Sequence, residues 1–98
     1  MNLLIPTASQ ECSIISPVKD SLVWSFVSLD NGRVADLKIY KNYKEIDKPI
    51  DYIIIKDQNE DVEEFLDEGI DILVASFQKE VDDIVEAFIF RELFDYNG

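Results

Sequence analysis

The sequence of 98 residues contains no histidine and a single cysteine, Cys12. Without histidine, the chain lacks the usual general base, the usual neutral metal ligand and any Ser-His-Asp triad. A single cysteine excludes an internal disulfide and a Cys-x-x-Cys metal motif, and it is typical of a reducing compartment. We therefore expect a cytoplasmic protein that is not an enzyme.

Glycine and basic side chains are also scarce. The three glycines, Gly32, Gly69 and Gly98, form no phosphate-binding loop. Nine Lys and Arg stand against 21 Asp and Glu, which gives a formal net charge of −12. A field of this sign repels phosphate groups, so we expect neither nucleic acid nor a membrane as a partner. No apolar run approaches the roughly 20 residues that a membrane-spanning helix needs.

Apolar residues, in contrast, are abundant enough to form a buried core, at 47% of the chain. The length predicts one domain, residues 1–98. Three short and continuously apolar runs predict buried strands: Leu3–Pro6, Tyr52–Lys56 and Ile72–Ala75. We expect these three strands to be mutually parallel and to form the centre of a sheet.

The dipeptide Asn31-Gly32 predicts a β-hairpin, because both central residues of a type I′ turn adopt positive φ. It joins the β-rich segments Leu22–Leu29 and Arg33–Tyr40. The second segment alternates polar and apolar residues, which predicts an edge strand whose Asp and Lys side chains discourage pairing with other chains. The polar segment Lys41–Pro49 has no clear period and is interpreted as a linker.

Two helices are predicted after the hairpin. The first follows Asp57, which forms a capping-box-like pair with Glu60, and it ends before Gly69. The second is capped by Ser76 and continues to about Leu93. The expected fold is therefore α/β: a mixed five-stranded sheet in the order strand, hairpin, strand, helix, strand, helix, with the helices packed on it.

Two helix faces are candidate partner surfaces. The first helix is acidic without a basic residue, so its face is either a binding surface for a basic partner or a solvated face that maintains solubility. The last helix is apolar over a wide arc, and the excess from Phe88 to Phe94 indicates either a homodimer or partner surface or packing within the chain. The acidic residues of the first helix are Glu60, Asp61, Glu63, Glu64, Asp67 and Glu68.

The loop between the first two strands, Thr7–Pro17, is long for a connection, and long loops in compact domains are often functional. It carries Cys12. A lone thiolate could join an exposed metal or iron–sulfur cluster, although such clusters usually have several Cys or His ligands. The alternative is that Cys12 is a small residue in a loop without a metal.

Five segments follow one another along the chain: NLLIPT at the start, ISP at 15–17, DNGRV in the hairpin, EGIDILVAS, and KEVDDIVEAFIFREL near the end. Together they resemble the dinitrogenase iron–molybdenum cofactor biosynthesis domain family. The resemblance covers nearly the whole chain and implies a ribonuclease-H-like mixed five-stranded sheet. It also implies a non-catalytic accessory or carrier protein, related to nitrogen fixation, whose cargo is iron–molybdenum cofactor or an iron–sulfur precursor.

The same resemblance implies that Cys12, Ser16 and Pro17 contact the cofactor, with Cys12 as the metal ligand. The chain departs from the family pattern directly after Pro17, where Val18-Lys19-Asp20 replaces the usual His-Phe-Gly. A glycine-rich turn usual after the fourth strand is also missing. The sequence is thus similar to a divergent, trimmed member that lacks most candidate ligands.

Two functions are consistent with these residues. The first is an accessory protein that carries a metallocluster on the Cys12 loop. The second is a protein-interaction module of the same fold that binds no cofactor and works through its acidic or apolar helix face. The small number of ligands around Cys12 favours the second, whereas the family resemblance favours the first.

Overall fold

The computed structural model describes residues 1–11 and 13–96. It has the predicted α/β character, with one mixed sheet and two α-helices. The strands are β1 (Asn2–Thr7), β2 (Val23–Asp30), β3 (Arg33–Tyr40), β4 (Tyr52–Ile55), β5 (Asp71–Val74) and β6 (Phe94–Asp95). The helices are α1 (Glu63–Asp67) and α2 (Val81–Ile89), and short 3-10 helices cover Val18–Asp20 and Tyr43–Glu45. Among the residues described, no helix is long and apolar enough to cross a membrane.

The centre of the sheet consists of the three predicted parallel strands. The spatial order is β3-β2-β1-β4-β5-β6, and the β1–β4 and β4–β5 pairs are parallel. Leu3–Ile5 in β1 and Ile53–Ile55 in β4 have no exposed surface. These runs are continuously apolar because both faces of the central strands are covered.

The predicted hairpin is confirmed at the edge of the sheet. Asn31 and Gly32 have φ angles of 53° and 75°, as a type I′ turn requires. β2 lies between β1 and β3 and pairs with both in antiparallel orientation. The pairing shifts after Ser28, so that Ala35 in β3 has no residue opposite it. This extra residue is a β-bulge, which bends the strand locally.

The prediction of five strands was wrong, because a sixth strand follows the last helix. β6 pairs antiparallel with β5, with Phe94 opposite Val74. Helix α2 ends at Ile89 rather than near Leu93, and Arg91 then adopts a left-handed conformation with φ of 59°. The Glu92 amide donates to the Ala87 carbonyl at 2.8 Å, which closes a Schellman motif. This turn returns the chain to the sheet.

The predicted start of the last helix was also wrong. α2 begins at Val81, and the residue before it is Glu80 rather than the predicted cap Ser76. The intervening segment is held by the loop that follows β1: the Ile15 amide donates to the Lys79 carbonyl at 2.8 Å, and Ile14 forms a β-bridge with Glu80. Tertiary hydrogen bonds thus replace the helical bonds that Ser76 would have initiated.

The first helix is shorter than predicted, but its end is where expected. α1 begins at Glu63, and Asp57–Glu60 forms a separate turn before it. Gly69 has φ of 75°, and its amide donates to the Leu66 carbonyl at 3.0 Å. The Ile70 amide donates to the Phe65 carbonyl at 3.1 Å, which completes a second Schellman motif.

Both faces of the sheet are covered by packed layers. On one face, the α2 residues Val81, Ile84 and Val85 form a core cluster with residues of the sheet and its loops. These are Leu3, Ile5, Ile15, Val27, Leu29, Ile54 and Ala75. On the other face, α1 packs together with a part of the segment that was interpreted as a linker. Tyr43 of this segment is 9% exposed, and its ring lies 5.2 Å from that of Trp24 and 5.0 Å from that of Phe65. The linker interpretation was therefore wrong, because one aromatic ring anchors the segment in the core.

The two Schellman motifs predict that introducing a glycine at position 91 and removing the glycine at position 69 have opposite effects on the free energy of unfolding. Arg91→Gly should raise the free energy of unfolding by about 1 kcal/mol, because a non-glycine residue in the left-handed region costs about 1–2 kcal/mol, which the greater chain entropy of unfolded glycine partly offsets. Gly69→Ala should lower it by about 1 kcal/mol. No atom lies within 4 Å of an added Cβ there, so the cost is conformational.

Urea unfolding monitored by circular dichroism measures both changes. Arg91→Ala is the control, since it removes the guanidinium group and keeps the strained Cβ. If Arg91→Ala stabilises the protein as much as Arg91→Gly, the conformational explanation is contradicted.

Candidate functional site

The loop that carries the predicted site residues begins where β1 ends. Because β1, β4 and β5 are parallel, the loops that follow all three strands meet at this edge of the sheet. In open α/β sheets, ligands bind outside these carboxyl ends. The loop folds back on itself: the Ala8 amide donates to the Ile14 carbonyl at 2.9 Å, and Ile15 forms a β-bridge with Thr7. Its base is therefore rigidly attached to the sheet.

Ser16 and Pro17 lie at this attached base. Ser16 is 6% exposed, and its amide donates to the Pro6 carbonyl at 2.9 Å. Its hydroxyl donates to the Pro17 carbonyl at 3.1 Å. Pro17 precedes the 3-10 helix Val18–Asp20. Both residues thus shape the loop, and the Ser16 hydroxyl is already engaged by the backbone.

Cys12, the predicted metal ligand, lies outside the described residues. The residues on either side, Glu11 and Ser13, are exposed. Within residues 1–11 and 13–96, no group of three or more His, Cys, Asp or Glu side chains is arranged to hold a metal ion. The role of Cys12 as a metal ligand therefore stays a prediction.

A carboxylate that the sequence reasoning assigned to a helix cap joins two of the loops. The side chain of Glu60 accepts hydrogen bonds from the Lys56 and Asp57 amides, each at 2.9 Å, and from the Val18 amide at 2.5 Å. The first two bonds close the turn after β4. The third reaches across to the segment after β1. The spacing of Asp57 and Glu60 was the correct signal for a backbone-capping carboxylate, but no local pattern shows a contact 42 residues away.

Exposed aromatic side chains lie at the same edge. Phe77, the third residue after β5, is 77% exposed, and its ring centroid lies 5.8 Å from that of Phe94, which is 47% exposed. Ile14, on the loop that follows β1, is also exposed and lines a shallow surface cavity together with Phe77. Exposed apolar side chains that form a contiguous patch, unlike single ones, mark interaction sites. From the sequence, Phe94 was placed in the apolar excess from Phe88 to Phe94, but it was not brought next to Phe77, because β6 was not predicted.

The two helix faces proposed as partner surfaces differ in what they contact. On α1, Glu64 accepts a hydrogen bond from the Tyr43 hydroxyl and lies 3.5 Å from Lys44 Nζ, while the other acidic residues of the helix are exposed. On α2, Phe88 packs within the chain, with its ring 5.2 Å from that of Tyr52. Phe90 is 66% exposed. Of the apolar side chains at the end of α2, Phe88 therefore packs within the chain, whereas Phe90 lies at the surface.

A larger cavity, of about 780 Å³, lies at the other end of the parallel strands, where β1 and β4 begin. Its apolar wall includes Tyr52, Leu73 and Phe88, and its rim includes Asp30 and Arg91. Neither Ser16 nor Pro17 lines it. The hairpin turn and the end of α2 come together here only in the folded chain, so no sequence motif indicates this cavity.

Comparisons with known proteins relate the chain to others by fold. The sequence matches no protein-family model, and no curated protein matches it. The structure is similar to that of a Methanocaldococcus jannaschii protein provisionally named a dinitrogenase, with a TM-score of 0.81 and 22% sequence identity over 100% of this chain and 96% of that one. It is also similar to a Thermotoga protein provisionally named NifB and assigned to the DUF35 family, with a TM-score of 0.77, 13% identity, and coverage of 99% and 94%.

The chain thus shares its fold with these two proteins along nearly its whole length. The resemblance inferred from the sequence segments is confirmed at the level of the fold.

The three hydrogen bonds to Glu60 predict a strong effect of removing this carboxylate. Glu60→Ala should lower the free energy of unfolding by about 2 kcal/mol, because hydrogen bonds to a charged group each contribute about 1.5–3 kcal/mol and Glu60 is only half-buried. Chemical denaturation measures the change. Glu86→Ala, at an exposed position of α2, is the matched control and should stay within about 0.5 kcal/mol of the wild type. Equal effects of the two substitutions would contradict the role assigned to Glu60.

Proposed function

We propose that this protein is a non-catalytic accessory protein that carries iron–molybdenum cofactor or an iron–sulfur precursor as its cargo. The likeness of fold along the whole chain to the M. jannaschii protein named a dinitrogenase is the observation that supports this proposal most directly. A ribonuclease-H-like arrangement of the sheet is part of the proposal. The parallel centre flanked by an antiparallel hairpin supports it.

The cargo site in this proposal is the Cys12 loop. The Cys12 thiolate would be the metal ligand, since thiolate is the preferred protein ligand of iron–sulfur clusters. Ser16 and Pro17 would position the loop, because the Ser16 hydroxyl and the Pro17 carbonyl already bond to each other. The location at the carboxyl ends of the parallel strands agrees with the usual position of ligand sites in such sheets.

A site with few protein ligands suits a carrier rather than a resident cofactor. The described residues supply no metal-binding group of three or more side chains. The remaining coordination would come from the cluster's own ligands or from a second protein. Binding through one thiolate would be weak and exchangeable, as release to an acceptor requires.

The non-catalytic part of the proposal rests on the residues available for chemistry. The chain has no histidine, and its sequence contains no recognisable pair of nucleophile and general base. We therefore assign the carboxylates to solubility and backbone capping, as Glu60 illustrates.

The alternative function is a protein-interaction module that binds no metallocluster. The exposed rings of Phe77 and Phe94 favour it, because a contiguous apolar surface marks a protein contact. The exposed acidic residues of α1 would add affinity for a basic partner. In this case the fold is shared with the cofactor proteins, whereas the cargo is not.

Anaerobic reconstitution with iron and sulfide distinguishes the two functions. Under the carrier proposal, the wild type binds iron with a thiolate-to-iron absorption band, and Cys12→Ser loses most of both signals, because the serine hydroxyl is a poor ligand for iron. Ser13→Ala is the control at the neighbouring exposed position and should load iron like the wild type.

Metal analysis and unfolding measurements complete this test. Cys12→Ser should change the free energy of unfolding by less than about 0.5 kcal/mol, as expected for a loop position, so a loss of iron would not reflect unfolding. Equal iron loading of Cys12→Ser and wild type would eliminate the carrier proposal. The interaction module would then be the better explanation.

A further inference from the structure

The edge strand β3 is unusually open to a partner. All residues from Arg33 to Ile39 are exposed, along a strand of eight residues. An edge strand presents backbone N–H and C=O groups that no neighbouring strand pairs. Its apolar side chains are also accessible, with Val34 52%, Leu37 47% and Ile39 37% exposed. Surface of this kind is the usual template for addition of another strand.

Two charged side chains of β3, Asp36 and Lys38, lie on one face of the sheet. Asp36 is opposite Ser28 and Lys38 is opposite Phe26 in the pairing with β2. Phe26 belongs to the core cluster on the α1 side, so Asp36 and Lys38 point to that side. The two side chains lie next to each other, with Lys38 Nζ 3.8 Å from an Asp36 carboxylate oxygen. One acid and one base therefore flank Leu37, which points to the α2 side.

We propose that β3 pairs antiparallel with β3 of a second copy of the chain, about a two-fold axis that passes midway between the two Leu37 residues. In this register the two Leu37 residues are opposite each other. Asp36 lies opposite the partner's Lys38, and Lys38 lies opposite the partner's Asp36. Opposite charges in such cross-strand pairs are stabilising. The result is one continuous sheet across both copies, in which each edge strand covers the other.

The charges select this register over its neighbours. A two-fold axis perpendicular to the sheet keeps each side chain on its own face. The alternative registers are therefore those in which another residue of β3 lies opposite its own copy. Centring the axis on Asp36 places two carboxylates opposite each other, and centring it on Lys38 places two ammonium groups opposite each other. Like charges directly opposite are destabilising. The register centred on Leu37 is the one that satisfies both charges.

Asp36 and Lys38 were predicted to discourage pairing of the edge strand with other chains, but they do not discourage pairing with a second copy of β3. Edge charges discourage pairing with an arbitrary strand because they meet no counter-charge. A second β3 supplies both counter-charges at the required spacing. The bulge at Ala35 bends the strand before Asp36, and it confines regular pairing to the short segment around Leu37. We therefore expect a weak, reversible dimer, and this inference does not depend on the proposed cargo.

Sedimentation equilibrium with charge reversal tests the proposal. The wild type should show a concentration-dependent equilibrium between monomer and dimer. Asp36→Lys and Lys38→Asp should each raise the dissociation constant about tenfold, because each creates two like-charge pairs per dimer. The double variant Asp36→Lys/Lys38→Asp should restore the wild-type value, since it exchanges the charges and keeps their pairing. Thermal unfolding of each variant verifies that the monomer is folded.

Two outcomes of this experiment would overturn the proposal. The first is a wild type that stays monomeric across the micromolar to millimolar range. The second is a dimer whose dissociation constant does not respond to either single reversal, or is not restored in the double variant, because such a dimer would use another face.

Disulfide trapping in a Cys12→Ser background gives an independent measurement of the register. Leu37→Cys should form a covalent dimer on oxidation, because directly opposite Cα atoms lie about 4.5–5.5 Å apart, within the range that a disulfide spans. Ile39→Cys is the control: the two substituted positions would be four residues apart along the strands, about 13 Å, and should not cross-link. Cross-linking at position 39 and not at position 37 would refute the register.

Discussion

Burial of the two central strands on both faces is the constraint on which the rest of the structure depends. Leu3–Ile5 and Ile53–Ile55 have no solvent exposure, so each face of β1 and β4 requires a covering layer. The crossover helix α1, together with the Tyr43 segment that precedes β4, forms one layer, and α2 forms the other. Each layer is small. The short helices therefore depend on the sheet for their stability, because isolated helices of this length are not stable in water.

The parallel centre also determines where the chain can build a site. Strands β1, β4 and β5 end at the same edge, so three loops of different length meet there. Glu60 connects two of these loops through three backbone hydrogen bonds, and Ile15 connects the first to the segment before α2. The base of the Cys12 loop is thereby held by elements that are distant in sequence. In the proposed function, such a base would hold the loop that carries the ligand in a defined place.

Local signals predicted most strands well and most helix boundaries poorly. The apolar runs and Asn31-Gly32 determine structure through burial and backbone preference, which act within a few residues. Ser76 failed as a cap because Lys79 and Glu80, which would follow it in a first helical turn, pair with the loop after β1 instead. Arg91 gave no signal for a helix end, since the left-handed position that it occupies is usually taken by glycine. In each case a contact between distant segments outweighed the local preference.

The sequence by itself determined the class of the fold, the parallel centre, the edge hairpin and the end of α1 at Gly69, because period and backbone preference are encoded locally. It also showed that residues 1–98 contain no histidine and cannot form an internal disulfide. Only the tertiary structure decided that β6 exists, that Tyr43 lies in the core and that Glu60 joins two loops. These features depend on which distant surfaces meet when the sheet is covered, and such meetings follow from packing of the whole chain rather than from any local pattern.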